Sequence, residues 1–282
     1  MQLYNFKNNL EMSKIIEKYA ELPKPLRKPL WQWWHKKMNK YDSGNIANFM
    51  NYGFEYLNGD SRIQLKNQDE TDRYCIQLYD HVVNKVDLKT KDVLEVGAGR
   101  GGGASYITRY YEPKSYTGMD ISKNSIDFCN KHYKNVEGLT FKYGNAEKLP
   151  FDDNSFDFVV NVESARCYNN QVAFFNEAFR VLKPDGKLLL ADMIYPAEMD
   201  NLRSIIKQSG FNTLQETNIS QNVVSALEKD SGRRENLIDT KIPKFLRKSF
   251  KTFAGTLGTS RYNNFATGVF QYLSFILEKQ KD

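Results

Sequence analysis

The stretch VLEVGAGRGGGASY, residues 93 to 106, constrains the fold of this chain more than any other. An apolar run enters a turn holding Gly97, Gly99, Gly101, Gly102 and Gly103 and passes into a helix pattern. Glycine reaches positive φ without steric cost and lets a ligand touch the main chain, so the pattern describes a buried strand bending sharply into a helix around a nucleotide-like molecule. Gly97, Gly99 and Gly102 also satisfy the G-x-G-x-x-G spacing of dinucleotide sites, where a helix N-terminus cradles a pyrophosphate. Glu95 opposes that ligand, because a carboxylate beside a pyrophosphate is repulsive. It suits a ligand that carries positive charge.

From Asp92 to Met193, short β-rich runs alternate with helical stretches, the signature of a parallel sheet covered by helices. The expected strands are 92–97, 115–121, 139–145, 156–164 and 187–193, with helices over 102–111, 123–133 and 171–182. Val172, Phe175, Ala178, Phe179 and Leu182 form an apolar stripe on the last helix, and LKPDGK reads as its stop and a turn. A helix near 198–209, a strand at 211–219 and a final strand at 269–279 complete the pattern. Residues 220–267 between the last two strands read as a helical insertion, and a connection of that length inside a compact domain is usually functional. Residues 1–75 read as a helical cap or arm, and residues 76–282 as the ligand-binding core.

The bulk composition excludes several classes. Hydrophobic residues at 40% and charged residues at 26% are ordinary for a globular protein, and the net charge of +6 is too small to imply nucleic acid by itself. Cys75, Cys129 and Cys167 lie far apart with no C-x-x-C pair, so neither a disulfide framework nor a metal centre is signalled. The sequence has no membrane-spanning apolar run and no secretory h-region near its start, and the expected compartment is a reducing cytoplasm.

Asp120, at the end of the second strand in GMDIS, stands where an acid can bind both hydroxyls of a ribose. After the third strand, Asn145 is placed to reach an adenine amino group and Ala146 to offer a backbone N–H. The motifs EVGAGRG, GMDIS, GNAEKLPFDDNSFDFVVNVES and EAFRVLKPDGKLLLAD, in that order, resemble the S-adenosylmethionine-dependent class I methyltransferases. The similarity covers about 190 residues, from Asp92 to the C-terminal strand. EVGAGRGGGASYITR, SYTGMDIS, NVES-x-x-CY and KIPKFLR are similar to the bacterial group that O-methylates phthiotriol and phenolphthiotriol lipids.

The resemblance implies a Rossmann-like α/β fold: a seven-stranded, mostly parallel sheet whose last strand is antiparallel, with the helical extension and lid insertion added. It implies S-adenosyl-L-methionine as cofactor, with Glu95 acting near its cationic methionine end. Gly97, Ala98, Gly99, Asp120 and Ile121 would contact the cofactor, as would Asn145, Ala146, Glu147, Asn161 and Val162. FMNYGFEYL resembles a segment that lies over the cofactor in many small-molecule methyltransferases, so Tyr52 would bind its carboxylate and Phe54 would wall the methyl. Both residues are alternatively simple packing at a helix end. The implied reaction is methyl transfer to an apolar natural product such as a polyketide, lipid or terpenoid, at oxygen, with C-methylation of a prenyl, sterol or aromatic acceptor as the alternative. A cofactor-binding interaction module without catalysis is the other alternative.

Related sequences place a histidine just after the fourth strand, where this chain has Arg166. Arginine is always charged and is no base at neutral pH. Either another group is the base, with His35, His81, Glu163 and Tyr168 as candidates, or none is needed, or Arg166 binds an anionic group of the substrate. Pairing of Arg166 with a nearby acid is the simpler alternative. Residues 23–40 hold six Lys and Arg and no acid, interleaved with Trp31, Trp33 and Trp34. That composition suits an anionic membrane surface or the mouth of an apolar pocket, with Trp34 against the substrate, or equally a cap core with a solvated face. Nothing matches a nucleic-acid recognition motif or specifies whether the chain is a monomer or a dimer. If the arm and residues 220–267 form a lid, deletion of residues 1–40 abolishes turnover while calorimetric affinity for S-adenosylmethionine is retained; unchanged turnover refutes the lid.

Overall fold

The computed structural model describes residues 47–57 and 63–280. His35, the tryptophans and the whole basic arm at 23–40 lie outside the described residues. The strands are β1 (Asp92–Val96), β2 (Ser115–Asp120), β3 (Leu139–Tyr143), β4 (Phe156–Val162), β5 (Leu182–Ile194), β6 (Phe211–Asn218) and β7 (Gln271–Lys279). They form one sheet in the order β3-β2-β1-β4-β5-β7-β6. β1 to β5 pair in parallel, and β7 runs antiparallel to both β5 and β6. The central strands read as continuous apolar runs because helices cover both of their faces.

On one face lie α1 (Arg73–Val83), α2 (Gly102–Tyr111) and α3 (Lys123–His132). They pack Ile76, Tyr79, Ile107 and Ile126 against Val93, Tyr116 and Val160. On the other lie α4 (Gln171–Val181) and α5 (Met199–Gln208), which pack Phe174, Phe175 and Ile206 against Leu94, Val159 and Leu188. Phe174 and Phe175 are fully buried, and each such ring stabilises the layer by about 1.5–3 kcal/mol. Residues 220–267 fold as α6 (Ser220–Lys241), α7 (Lys244–Ala254) and α8 (Ser260–Ala266). Local chemistry sets several helix starts: the Ser122 and Asn170 side chains accept the Ser125 and Ala173 N–H groups, capping α3 and α4.

Three details differ from the sequence pattern. The apolar face of α4 is Phe174, Phe175, Ala178 and Val181, whereas Val172 is exposed, so the stripe is rotated by about one position. LKPDGK is not a separate turn: β5 starts at Leu182 and absorbs the segment as a bulge, with Asp185 at φ 63° and the β4 register shifting between Phe156 and Phe158. The final strand begins at Gln271, because Gly268 at φ 76° keeps the chain in a turn.

A close approach near the start of α2 depends on glycine: a Cβ added at Gly103 would lie 2.0 Å from the Tyr79 ring. Gly103→Ala is expected to destabilise the fold by about 1–3 kcal/mol through overpacking, read as a lowered denaturant midpoint. An unchanged midpoint would contradict this packing of α1 on α2.

Candidate active site

The carboxyl ends of β1, β2 and β4 meet at a cavity of about 440 Å³, within the roughly 300–1,000 Å³ of small-molecule sites. Its floor is the bend after β1, where Gly97 and Gly99 have φ of 83° and 54°. A Cβ on Gly97 would sit 2.2 Å from Ser164 Oγ, so only glycine lets the bend pass the β4 tip. The bend is tied to β2: Gly97 and Ala98 N–H groups donate to Met119 O, and Gly99 N–H donates to Asp120 Oδ2 at 2.9 Å. Asp120 Oδ1 accepts from Ser122 N–H at 2.8 Å. Burial raises the Asp120 pKa, and the Ser122 and Gly99 N–H groups oppose that rise.

Glu163 follows β4 in the left-handed region at φ 56°, unusual for a residue with a Cβ and typical of functional positions. Its Oε1 accepts from Tyr52 N–H and from the Tyr272 hydroxyl, both at 2.8 Å. Its Oε2 lies 3.9 Å from Arg166 Nη2. Burial pushes its pKa up to about 7, against the Arg166 charge and those two hydrogen bonds. Arg166 borders the cavity and pairs with Asp192 of β5, through its side chain and through its own N–H at 3.0 Å. Burial opposes its charged form, but Asp192 more than compensates and holds the guanidinium protonated. The pairing alternative is therefore what the structure contains.

Tyr52, Gly97, Ala98, Gly99, Asp120 and Ile121 all border the cavity, as do Asn145, Ala146, Glu147 and Val162. Glu163, Arg166 and Tyr168 border it too. Among the described residues, three candidates for cofactor or substrate contact do not. Glu95 is fully buried on the opposite strand face, accepting from Tyr79 Oη at 2.9 Å and Tyr116 Oη at 3.0 Å, because strand alternation turns it toward α1. Asn161 is also fully buried, and it joins β1 to β4 by donating to Val96 O and Ser164 Oγ, each at 2.8 Å. Phe54 stacks on His81 behind the wall, since Gly53 at φ 87° breaks the alternation that would have put it beside Tyr52. Trp34 and His35 lie outside the described residues.

Two candidate bases are unsuited to neutral pH. Tyr168 donates or accepts at Ser164 Oγ, 2.8 Å away, and burial raises its pKa far above neutrality. His81 is away from the cavity, and burial lowers its pKa to about 4.

Residues not singled out in the sequence complete the site. Tyr79 borders the cavity and connects it to Glu95, Tyr272 holds Glu163, and Phe253 reaches the cavity from α7. Arg234 of α6 ties the parts together: it donates to Tyr52 O at 3.0 Å, Asn51 O at 3.2 Å and Ala254 O at 3.1 Å, while Asp230 orients it at 2.8 Å. Asp192 had a readable signal, an acid closing the apolar run KLLLAD; the main-chain contacts of Arg234 had none.

A positively charged nucleoside fits what these residues present. Carboxyls of Asp120 and Glu163 face one cavity, and a third, Glu95, stands one hydroxyl behind it. The family profile described as "Methyltransferase domain" matches residues 94–190. The chain belongs to the S-adenosylmethionine-dependent class I methyltransferases. Within them it falls with the phthiotriol/phenolphthiotriol dimycocerosates methyltransferase of Mycobacterium tuberculosis, 37% identical over 237 residues that cover 83% of this chain and 87% of that protein. A fatty-acid O-methyltransferase of Mycolicibacterium smegmatis is 38% identical over 71% of this chain and 72% of that one. Among solved structures, geranyl diphosphate C-methyltransferase from Streptomyces coelicolor A3(2) superposes with a TM-score of 0.60 at 14% identity, covering 88% of this chain and 98% of that one, which speaks to the fold alone. The chain is thus an S-adenosylmethionine-dependent enzyme rather than a binding module. Among the described residues no helix is long and apolar enough to cross a membrane.

Buried Glu95, with its pKa raised by desolvation to about 7, makes stability depend on pH. Its proton is held more tightly in the folded than in the unfolded chain, so this contribution is complete below about pH 4.5 and is lost as pH rises through about 7. Glu95→Gln is expected to remove a loss on the order of 3 kcal/mol between those limits, measured as the difference between denaturation series at pH 5 and pH 8. A wild-type-like pH slope in the variant would show that Glu95 is ionised throughout.

Proposed function

We propose that this enzyme methylates an oxygen of a lipid-like acceptor, with Glu163 as the base. The observation that carries this reading is a carboxyl on the cavity wall, held in a left-handed conformation, with its pKa raised to about 7. A general base is most effective when its pKa lies near the working pH. S-adenosylmethionine supplies a methyl carbon on a positively charged sulfur, already activated toward nucleophiles. The chain's task is then alignment, removal of water and management of one proton.

Asp120 would hold the ribose hydroxyls, Asn145 and Ala146 the adenine edge, Ile121 its face, and Tyr52 the methionine carboxylate. With Oε1 of Glu163 engaged by Tyr52 and Tyr272, Oε2 is the oxygen that would accept the acceptor's hydroxyl proton as the methyl passes from sulfur to the acceptor oxygen, the sulfur leaving as a neutral thioether. Arg166, anchored by Asp192, would keep Glu163 from becoming too basic. The lipid character of the acceptor is supported by the names of the two similar enzymes and by Phe253 and Met50 on the cavity wall.

For an alcohol acceptor, Glu163→Gln is expected to lower kcat by about 10²–10⁴ while calorimetric affinity for S-adenosylmethionine changes little. Wild-type kcat should rise with pH and level off above about 7 as Glu163 ionises. Full activity of Glu163→Gln on alcohols would refute the base. Activity retained only on free fatty acids, which are already ionised, would make the acceptor a carboxylate. Fragmentation of the product by mass spectrometry distinguishes oxygen from carbon as the methylated atom.

A further inference from the structure

The insertion between the last two strands ends in a segment of one charge sign, as the arm at 23–40 also is. From Thr240 to Phe270 there are six Lys and Arg and no acid, which equals the net charge of +6 for the whole chain. Everything outside that segment therefore balances to zero. The segment is not a solvated tail, because it folds as α7 and α8, and Phe253 of α7 reaches the cavity wall.

α7 has two chemically distinct sides. Its inner side places Leu246 and Phe250 against Ile238 and Ile242 of the α6 end, and Phe253 on the cavity wall. Lys244 and Lys248, four residues apart and hence on one side of the helix, are exposed, as is Lys241 at the end of α6. Arg247 and Lys251, also four apart, lie 3.9 Å and 2.8 Å from Asp239. One carboxylate thus faces two of the cations. Two exposed apolar side chains border the same helices. Leu257, 49% exposed, follows α7 on a main chain fixed by the Ser231 hydroxyl, which accepts its N–H at 2.9 Å. Val269, 47% exposed, follows α8.

We propose that α7 and the turns flanking α8 form a docking surface for an anionic lipid bilayer, which delivers the acceptor to the cavity past Phe253. A basic helix side attracts anionic headgroups by about 1 kcal/mol per Lys or Arg near the surface, and exposed aliphatic side chains on fixed turns supply insertion points. Charge complementarity selects this partner over a neutral one. The helix that carries the cations also carries a cavity-wall residue, so docking and acceptor entry are mechanically joined. The purpose assigned to docking rests on the lipid-acceptor reading; the docking itself does not.

The test is co-sedimentation of the full chain, basic arm included, with vesicles of phosphatidylcholine alone and of phosphatidylcholine with phosphatidylglycerol. Wild type should bind only the anionic vesicles and lose binding as salt is raised. Lys244→Glu/Lys248→Glu should weaken that binding by roughly tenfold or more, with unchanged melting behaviour and unchanged turnover of a short, water-soluble alcohol acceptor. Leu257→Ser should weaken it without altering the salt dependence. Binding that is equal for both vesicles, absent from both, or the same in the charge-reversed variant overturns the proposal. A preference of the same lysines for RNA over vesicles in a competition assay also overturns it. Absence of methyl transfer to any acceptor would fail the functional reading instead, leaving the vesicle result to stand by itself.

Discussion

Three carboxyls gathered at the carboxyl ends of adjacent strands are the constraint that the rest of this structure serves. Glu95, Asp120 and Glu163 sit on or directly behind one cavity wall, and burial raises the pKa of each. Buried carboxylates are costly unless hydrogen-bonded or matched by positive charge. The fold supplies the hydrogen bonds from dispersed places: tyrosines of α1 and β2 for Glu95, the main-chain N–H groups of Gly99 in the glycine bend and of Ser122 for Asp120, and Tyr52 with Tyr272 for Glu163. Two of the three nevertheless remain poised near pH 7. A sulfonium cofactor adds positive charge beside these carboxyls to that of Arg166, whereas a pyrophosphate would add to their repulsion. The glycine bend by itself is compatible with either ligand, and the carboxyls decide between them.

The same groups also connect the sheet to its cover. Tyr52 is held at both main-chain ends, its N–H on Glu163 and its carbonyl on Arg234. Arg234 in turn reaches the last carbonyl of α7, one residue from Phe253. A shift of α6 or α7 is therefore transmitted to the segment over the cavity and to the carboxylate beneath it. Asp230 is almost wholly buried with Arg234, so the linkage is a desolvated charge pair, which is strongly destabilised when either partner is removed.

β1 to β5 are legible in the sequence because strands buried on both faces leave uninterrupted apolar runs, and the helices between them because capping residues and periodic apolar positions survive in one dimension. The glycine bend, Asp120 and Glu163 are legible for a related reason: each occupies the position where a strand ends, which sequence can count. Failures begin where a side chain's direction depends on one torsion. Gly53 at φ 87° sends Phe54 away from the cavity, and strand parity turns Glu95 behind it, although both lie within two or three residues of groups that do border it. The bulge at Asp185 is hidden likewise, since Pro-Asp-Gly marks a change of direction without revealing that the ladder resumes on both sides. Tyr272 and Arg234 are beyond sequence reading altogether, because their partners are 109 and 182 residues away and one of those partners is main chain.

Arg166 shows how a departure from a related pattern relocates a function. A histidine after β4 could exchange a proton near neutrality, which a guanidinium paired with Asp192 cannot do. Its placement 3.9 Å from Glu163 gives it a different effect, stabilising the ionised carboxylate against the desolvation that pushes the pKa upward. Under the proposed function, the position changes from a proton carrier to a regulator of one. In the proposed reaction the base moves by three residues toward the strand, onto the side chain whose left-handed backbone already directs it to the cavity. A strained glutamate, an arginine locked by an aspartate and a tyrosine from the far strand then perform together what one imidazole would do, and this requires β4, β5 and β7 to hold their register at a single level of the sheet.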